Sequence, residues 1–277
     1  MPDETVPSFD DSYKLHRRFD RLGRLVGDAG MERLFGARVL VVGVGGVGSH
    51  VAVALARSGV GRIGLVDFDV ICATNVNRQV QSREGTAGQS KVQVLAEYLR
   101  SIHSQVLVEP IPRFYDADCA DELLGPPEAP TVDFVVDAID NLTTKCHLLA
   151  TCHGRGIPVV CATGASGRID PTAIRTDDLA RTRQDPLAAM VRKLLRKQHG
   201  FPKGGPWGIP AVYSLEPIRE PIAPHYDGGR GFRCMCPGPR EHHTCDKRRV
   251  IYGTAGFVTG AFGLACASVV VRGLTGA

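Results

Sequence analysis

An apolar run, Arg38-Val-Leu-Val-Val42, leads into the loop Gly43-Val-Gly45-Gly46-Val-Gly48, and Asp67, Asp69, Asn75, Arg78, Gln79 and Lys91 follow it along the chain. Glycines let a backbone approach phosphate closely, and a helix beginning at such a loop offers the anion its first amides and its positive dipole end. The polar residues downstream extend that chemistry. Arginine and lysine neutralise a triphosphate, carboxylates hold ribose hydroxyls or magnesium, and side-chain amides fix orientation. Asp137-Ala-Ile-Asp140-Asn141 supplies a second acidic group. Together these residues suit activation of a carboxylate by ATP. The loop alone, with an acidic residue about twenty positions on, also fits the dinucleotide fingerprint and admits NAD or FAD. A hydride-transfer enzyme has no evident use for Arg78, Gln79 and Lys91 together. Arg78 and Lys91 are expected on exposed ends of elements, where substitution disturbs stability little.

These residues need a frame. Residues 38–42 read as a strand buried on both faces, residues 49–58 as the helix after it, and residues 61–66 as a second strand ending at Asp67. A helix is predicted at 91–102, strands at 106–110 and 132–136, a helix at 143–153 and a fifth strand at 159–162. This alternation predicts a Rossmann-like α/β fold with a doubly wound, mostly parallel sheet, whose ligands sit at the carboxyl ends of the strands. Asp67, Asp69, Asp137 and Asp140 all fall at such ends. After Gly167 the alternation is expected to stop, and residues 175–249 read as a polar, Pro/Gly-rich insertion on the substrate side with one helix at 186–198. Residues 1–11 read as a disordered polar tail and residues 12–277 as a single domain. Its N-terminal arm, 13–34, shows Leu15, Phe19, Leu22, Leu25 and Val26 at helical spacing around a broken middle, with Arg17, Arg18, Arg21 and Arg24 interleaved.

The formal net charge of +4 over 277 residues is too mild to indicate nucleic acid by itself. Its distribution is more informative. Arg181, Arg183, Arg192, Lys193, Arg196, Lys197 and Lys203 crowd the insertion, and Arg240, Lys247, Arg248 and Arg249 form a second group, a pattern suited to a phosphate backbone. Nine cysteines without an apolar leader point to a reducing cytoplasm, with Cys146, Cys152, Cys161 and Cys266 expected as free buried thiols. Residues 252–271 carry no charge and contain Gly256-xxx-Gly260, so membrane contact competes with a buried soluble helix, which the Gly and Thr content favours.

The stretches Val41-Val-Gly-Val-Gly-Gly-Val-Gly-Ser49, Asp67-Phe-Asp69, Asn75-Val-Asn-Arg-Gln79, Gly88-Gln-Ser-Lys91 and Asp137-Ala-Ile-Asp-Asn141 resemble the ubiquitin-activating-type adenylating enzymes. Asp170-Pro171, Asp178-Leu-Ala180 and Gln184-Asp-Pro-Leu-Ala-Ala189 resemble, within that superfamily, the tRNA threonylcarbamoyladenosine dehydratase branch. The resemblance implies an ATP-dependent ring closure on tRNA through an acyl-adenylate, with ATP and magnesium as cofactors and a monovalent cation as a further candidate. It makes Gly43, Gly45, Gly46 and Gly48 the nucleotide loop and puts Asp67 on the ribose, with Asp69, Asp137 and Asn141 beside the nucleotide. Asn75, Arg78, Gln79 and Lys91 would face the phosphates and Asp140 the magnesium. An arginine from the partner's arm would complete the site in a homodimer: Arg21 by the pattern Arg18-Phe-Asp-Arg21, or Arg24 in the dehydratase branch. Arg192, Lys193, Arg196 and Lys197 would meet the tRNA. The alternative substrate is the C-terminus of a sulfur-carrier protein, and a sulfur-relay or carrier protein is a further candidate partner. Enzymes of that kind commonly hold zinc on paired Cys-x-x-Cys motifs, which this chain lacks. Cys234, Cys236 and Cys245, with His242 and His243, form the nearest substitute zinc cluster, although Cys234-x-Cys236 is an awkward ligand spacing. Cys245 is expected just ahead of a final strand.

Overall fold

The computed structural model describes residues 11–222, His225 and residues 250–277. The cysteine cluster, the second basic group and all but the last residue of the expected tail lie outside the described residues. Strands β1 (Arg38–Val42), β2 (Arg62–Val66), β3 (Leu107–Ile111), β4 (Phe134–Asp137), β5 (Val159–Ala162), β6 (Ile174–Asp178) and β7 (Pro210–Ser214) form one sheet in the order β3-β2-β1-β4-β5-β7-β6. Every pairing is parallel except β6 with β7. The direction of winding reverses between β1 and β4, and such switch points open a crevice at the carboxyl edge.

Alternate residues of each strand enter different cores. Val39 and Val41 of β1 point into a core shared with α2 (Asp20–Gly36), α3 (Gly48–Arg57), α4 (Lys91–Ile102) and α8 (Gly256–Thr275). Leu40 and Val42 point to the other face, into a core shared with α5 (Ala120–Leu124), α6 (Leu142–Gly154) and α7 (Pro186–Gln198). Burial on both faces is why β1, β4 and β5 read as continuous apolar runs. The arm is helical as expected, α1 (Asp11–Arg18) followed by α2, with its break at Phe19 between the two helices and a further kink inside α2 at Gly27 (φ 70°).

Two features differ from the sequence reading. β6 and β7 lie in the region where alternation was expected to stop, and β7 continues the parallel sheet beside β5. β7 is short, begins at Pro210 and follows a glycine-rich run, while β6 is a polar edge strand, Ile-Arg-Thr-Asp-Asp. Edge strands carry charge because they have only one neighbour, which removes the apolar signal. The second difference is that no strand follows Val250 among the described residues; the chain runs into α8 instead.

By length and composition α8 could cross a membrane, but half of its apolar window is buried inside the protein. It packs on α3, where a Cβ on Gly263 would lie 2.7 Å from the His50 Cβ and 2.8 Å from the Val47 carbonyl oxygen. The small residues of α8 therefore serve contacts within this chain. Gly263→Ala is expected to destabilise the fold by about 1–3 kcal/mol through overpacking, read as a lower denaturation midpoint at unchanged m-value. Cys146, Cys152, Cys161 and Cys266 are free and buried, as expected. Burial pushes the thiol of Cys146 up to about 11 and those of Cys152 and Cys266 up to about 12, which leaves them unreactive.

Candidate active site

The glycine loop leaves β1 at the switch point. Gly43 (φ 88°) hydrogen-bonds through its amide to the Val66 carbonyl at 2.8 Å, and a Cβ there would stand 2.7 Å from the Ala138 carbonyl oxygen. Only glycine lets the loop lie this close to the end of β4. The Val44 amide donates to Asp67 Oδ2 at 2.8 Å, and Gln81 Nε2 donates to the Val44 carbonyl at 2.7 Å. No side chain caps α3, whose Ser49 amide donates to the Gly45 carbonyl at 3.1 Å, so the positive end of this helix lies at the glycine loop.

Asp67 bridges two segments, since its Oδ1 also accepts the Asp69 amide at 2.9 Å. Lys91 opens α4, and its Nζ lies 2.7 Å from Asp69 Oδ2. Burial by itself would lower the lysine, yet Asp67 and Asp69 hold the ammonium above its ordinary value, so it stays a cation. Lys91 is only 6% exposed, which corrects the expectation that it sits on an exposed end. The reason is pairing: the acidic ends of β2 make burial of a charge tolerable there. Arg78 is partly buried as well, its Nη1 held by the Thr74 carbonyl at 2.8 Å and by Asn77 Oδ1 at 2.9 Å. Its Cγ lies 3.3 Å from the Cβ position of Gly46, and Gln79 Nε2 lies 3.9 Å from that of Gly45. The structure thus brings the stem of Arg78 and the amide of Gln79 up against the glycine loop. Asn75 is buried, and its Oδ1 accepts the Cys72 amide at 3.0 Å, so part of its role is to shape the turn before Arg78.

At the end of β4 the acidic residues divide. Asp140 is exposed at the carboxyl edge and acts electrostatically on Lys91. Asp137 turns into the core, where its Oδ2 meets Lys145 Nζ at 2.6 Å and both side chains are fully buried. Asn141 caps α6, accepting the Thr144 amide at 3.1 Å. One exposed carboxylate beside a phosphate loop matches how magnesium is usually bound, through a protein oxygen or two and the nucleotide itself. Two residues here carried no sequence signal. Gln81 ties the 75–82 segment to the loop, and its Oε1 is buried without a partner; Lys145 holds Asp137.

Residues 19–277 match the ThiF family over almost the whole chain. This protein belongs to the ThiF family. It is 41% identical over 219 residues to the tRNA threonylcarbamoyladenosine dehydratase of Haemophilus influenzae, covering 78% of this chain and 82% of that protein. It is 36% identical over 255 residues to the Escherichia coli tRNA threonylcarbamoyladenosine dehydratase, covering 91% of each. Its structure superposes with a TM-score of 0.80 and 33% identity, over 96% of both chains, on the crystal structure of the E. coli tRNA N6-threonylcarbamoyladenosine dehydratase, TcdA, in complex with ATP.

The remaining nominated residues of this ThiF-family chain lie away from the crevice. Phe19, at the junction of the arm helices, packs edge-on against His103 with ring centroids 5.2 Å apart. His103 follows α4, and twelve residues at 1.5 Å each place it about 18 Å along the helix from Lys91. Arg21 is exposed near this far end, and Arg24 pairs with Asp20 at 3.1 Å. The arm arginines are therefore not brought to the glycine loop of their own chain. On α7, Arg192 bonds Thr182 Oγ1, and Arg196 stacks 5.3 Å above the Trp207 ring, whereas Lys193 and Lys197 project freely into solvent exposure.

Proposed function

We propose that this protein is an ATP-dependent tRNA threonylcarbamoyladenosine dehydratase. The observation that carries the reading is the placement of Arg78 and Gln79 on Gly46 and Gly45, beside the Asp67–Asp69–Lys91 group. A triphosphate uses such a set, whereas a hydride carrier does not. The substrate carboxylate attacks the α-phosphate of ATP; the bond to the β-phosphate breaks and pyrophosphate leaves. A nucleophile within the same substituent then attacks the activated carbonyl, losing its proton and expelling AMP, so that the nucleoside loses one water overall. Lys91 and Arg78 stabilise the charge that grows on the phosphates, a preorganised electrostatic contribution. Asp67 faces the ribose, and Asp140 would hold a magnesium ion, which when bound would further neutralise the phosphates.

The working unit in this reading is a homodimer in which the arm's Arg21 or Arg24 enters the partner's site. Its support is the position of the arm at the far end of α4, together with exposed Val76, Phe257 and Leu264, apolar side chains suited to a subunit interface. The basic face of α7 meets tRNA in the cytoplasm. Because Arg192 and Arg196 are committed to contacts within the fold, the clean probe is Lys193→Glu with Lys197→Glu. This pair is expected to leave the melting temperature unchanged, weaken tRNA binding and reduce the salt slope by about two. The nucleotide is tested by thermal shift: ATP with magnesium at a hundred times its Kd stabilises by about 2.7 kcal/mol, and equal protection by NAD would refute the adenylation chemistry.

A further inference from the structure

Lys145 touches both ends of the loop that carries Asp140. Its backbone amide donates to the Asn141 carbonyl at 2.9 Å, and its Nζ reaches back to Asp137 Oδ2 at 2.6 Å. Between these anchors the chain is held by Asp137 Oδ1, which accepts the Ile139 amide at 3.2 Å, and by the Ala138 amide, which donates to the Val42 carbonyl at 2.9 Å. The Ala138 carbonyl in turn is the surface against which Gly43 lies. The segment from Asp137 to Asn141 therefore sits between the phosphate loop on one side and α6 on the other, and one lysine closes it.

Stability is a poor reason for that lysine. Both partners are 0% exposed, and a buried ion pair loses in desolvation most of what it gains in attraction, so well-packed apolar residues of similar volume stabilise as much or more. The neighbours of Lys145 on α6, Cys146, Leu148 and Leu149, are apolar and equally buried, so the position suits an apolar side chain. The pair gives direction instead. A carboxylate fixed from two sides sets the height of the 138–140 backbone against the glycine loop, as outer residues set the orientation of metal-facing ligands elsewhere.

We propose that Lys145 is a positioning residue for the metal-and-phosphate end of the site: through Asp137 it aims the exposed Asp140 carboxylate and fixes the wall against which the glycine loop rests. It touches neither nucleotide nor tRNA. The proposal rests on the adenylation reading, and it predicts a selective defect, since the ribose end is held by Asp67 on the opposite side of β1.

The test compares unsubstituted protein with the double variant Asp137→Asn, Lys145→Met, which removes both buried charges and so avoids stranding one. Binding of ATP with magnesium, ATP with EDTA, and AMP is measured by calorimetry, and folding by thermal melting. The expected result is a near-normal melting temperature, AMP affinity within about twofold of the unsubstituted protein, and ATP–magnesium affinity about 10–100-fold weaker. Unchanged ATP–magnesium affinity in the folded double variant overturns the proposal. If that variant does not fold, Asn141→Ala loosens the other end of the same loop while leaving the buried pair intact. The same selective loss is expected there, and equal weakening of AMP and ATP–magnesium overturns it. Failure of the unsubstituted protein to bind ATP with magnesium would refute the adenylation reading itself, a distinct outcome.

Discussion

Lys91→Ala is expected to lower turnover by about 10²–10³-fold, the usual loss when one preorganised donor to a developing anion is removed. The same substitution lowers stability. Lys91 is the partner of Asp69 and lies within the field of Asp67, so its removal leaves two carboxylates facing each other with little solvent. Asp69 keeps 27% of its side-chain exposure, which places the cost between a surface and a fully buried pair, about 1–3 kcal/mol. Steady-state kinetics and thermal melts on one preparation separate the two effects. Lys91→Arg restores part of the melting temperature by keeping the charge, while turnover stays low because a planar guanidinium presents its donors in a different geometry from the ammonium. Full activity in a folded Lys91→Ala protein would remove the lysine from the phosphate site.

The second large effect comes from mixing two inactive proteins. Arg21→Ala, or Arg24→Ala if that is the acting arginine, is expected to lose about 10³-fold in turnover, as when a trans-acting arginine is withdrawn from a phosphoryl site. Combined with Lys91→Ala under conditions that exchange subunits, activity returns, because each mixed dimer contains one site with both native residues. The helix length of about 18 Å between Lys91 and the arm's anchoring point excludes the arm's own site as the destination in this conformation. Exchange shown by mass, with no rescue of activity, would mean that the arginine acts within its own chain or plays no part.

Much of this arrangement was legible in the sequence, for physical reasons that can be named. β1, α4, β5 and α7 fall at or within a residue of their expected bounds, because buried parallel strands are continuous apolar runs and because Asp185-Pro186 marks a helix start chemically. The glycine loop and Asp67, Asp69, Arg78 and Gln79 meet at the carboxyl edge because the winding reverses beside β1. What remained hidden depends on the third dimension. β6 carries little apolar signal because it is a polar edge strand, and β7, although apolar, is a five-residue segment led by proline just after a glycine-rich run. The burial of Lys91 follows from two carboxylates brought to it by β2, and spacing along the chain does not report that. Lys145 reads as an ordinary polar residue on a short helix; only the fold shows that it faces Asp137 in the core. Gln81, two positions past Gln79, differs from it in sequence by nothing that marks it as the link to Val44.

The mass of a nucleoside tests the proposed reaction most directly. tRNA bearing threonylcarbamoyladenosine is incubated with the protein, ATP and magnesium, then digested, and its nucleosides are weighed. The expected product is lighter by one water, its formation requires ATP, and AMP and pyrophosphate appear with it in equal amounts. An unchanged nucleoside mass, together with ATP-dependent adenylation of a carrier protein ending in Gly-Gly, would contradict the account and assign the site to the carrier.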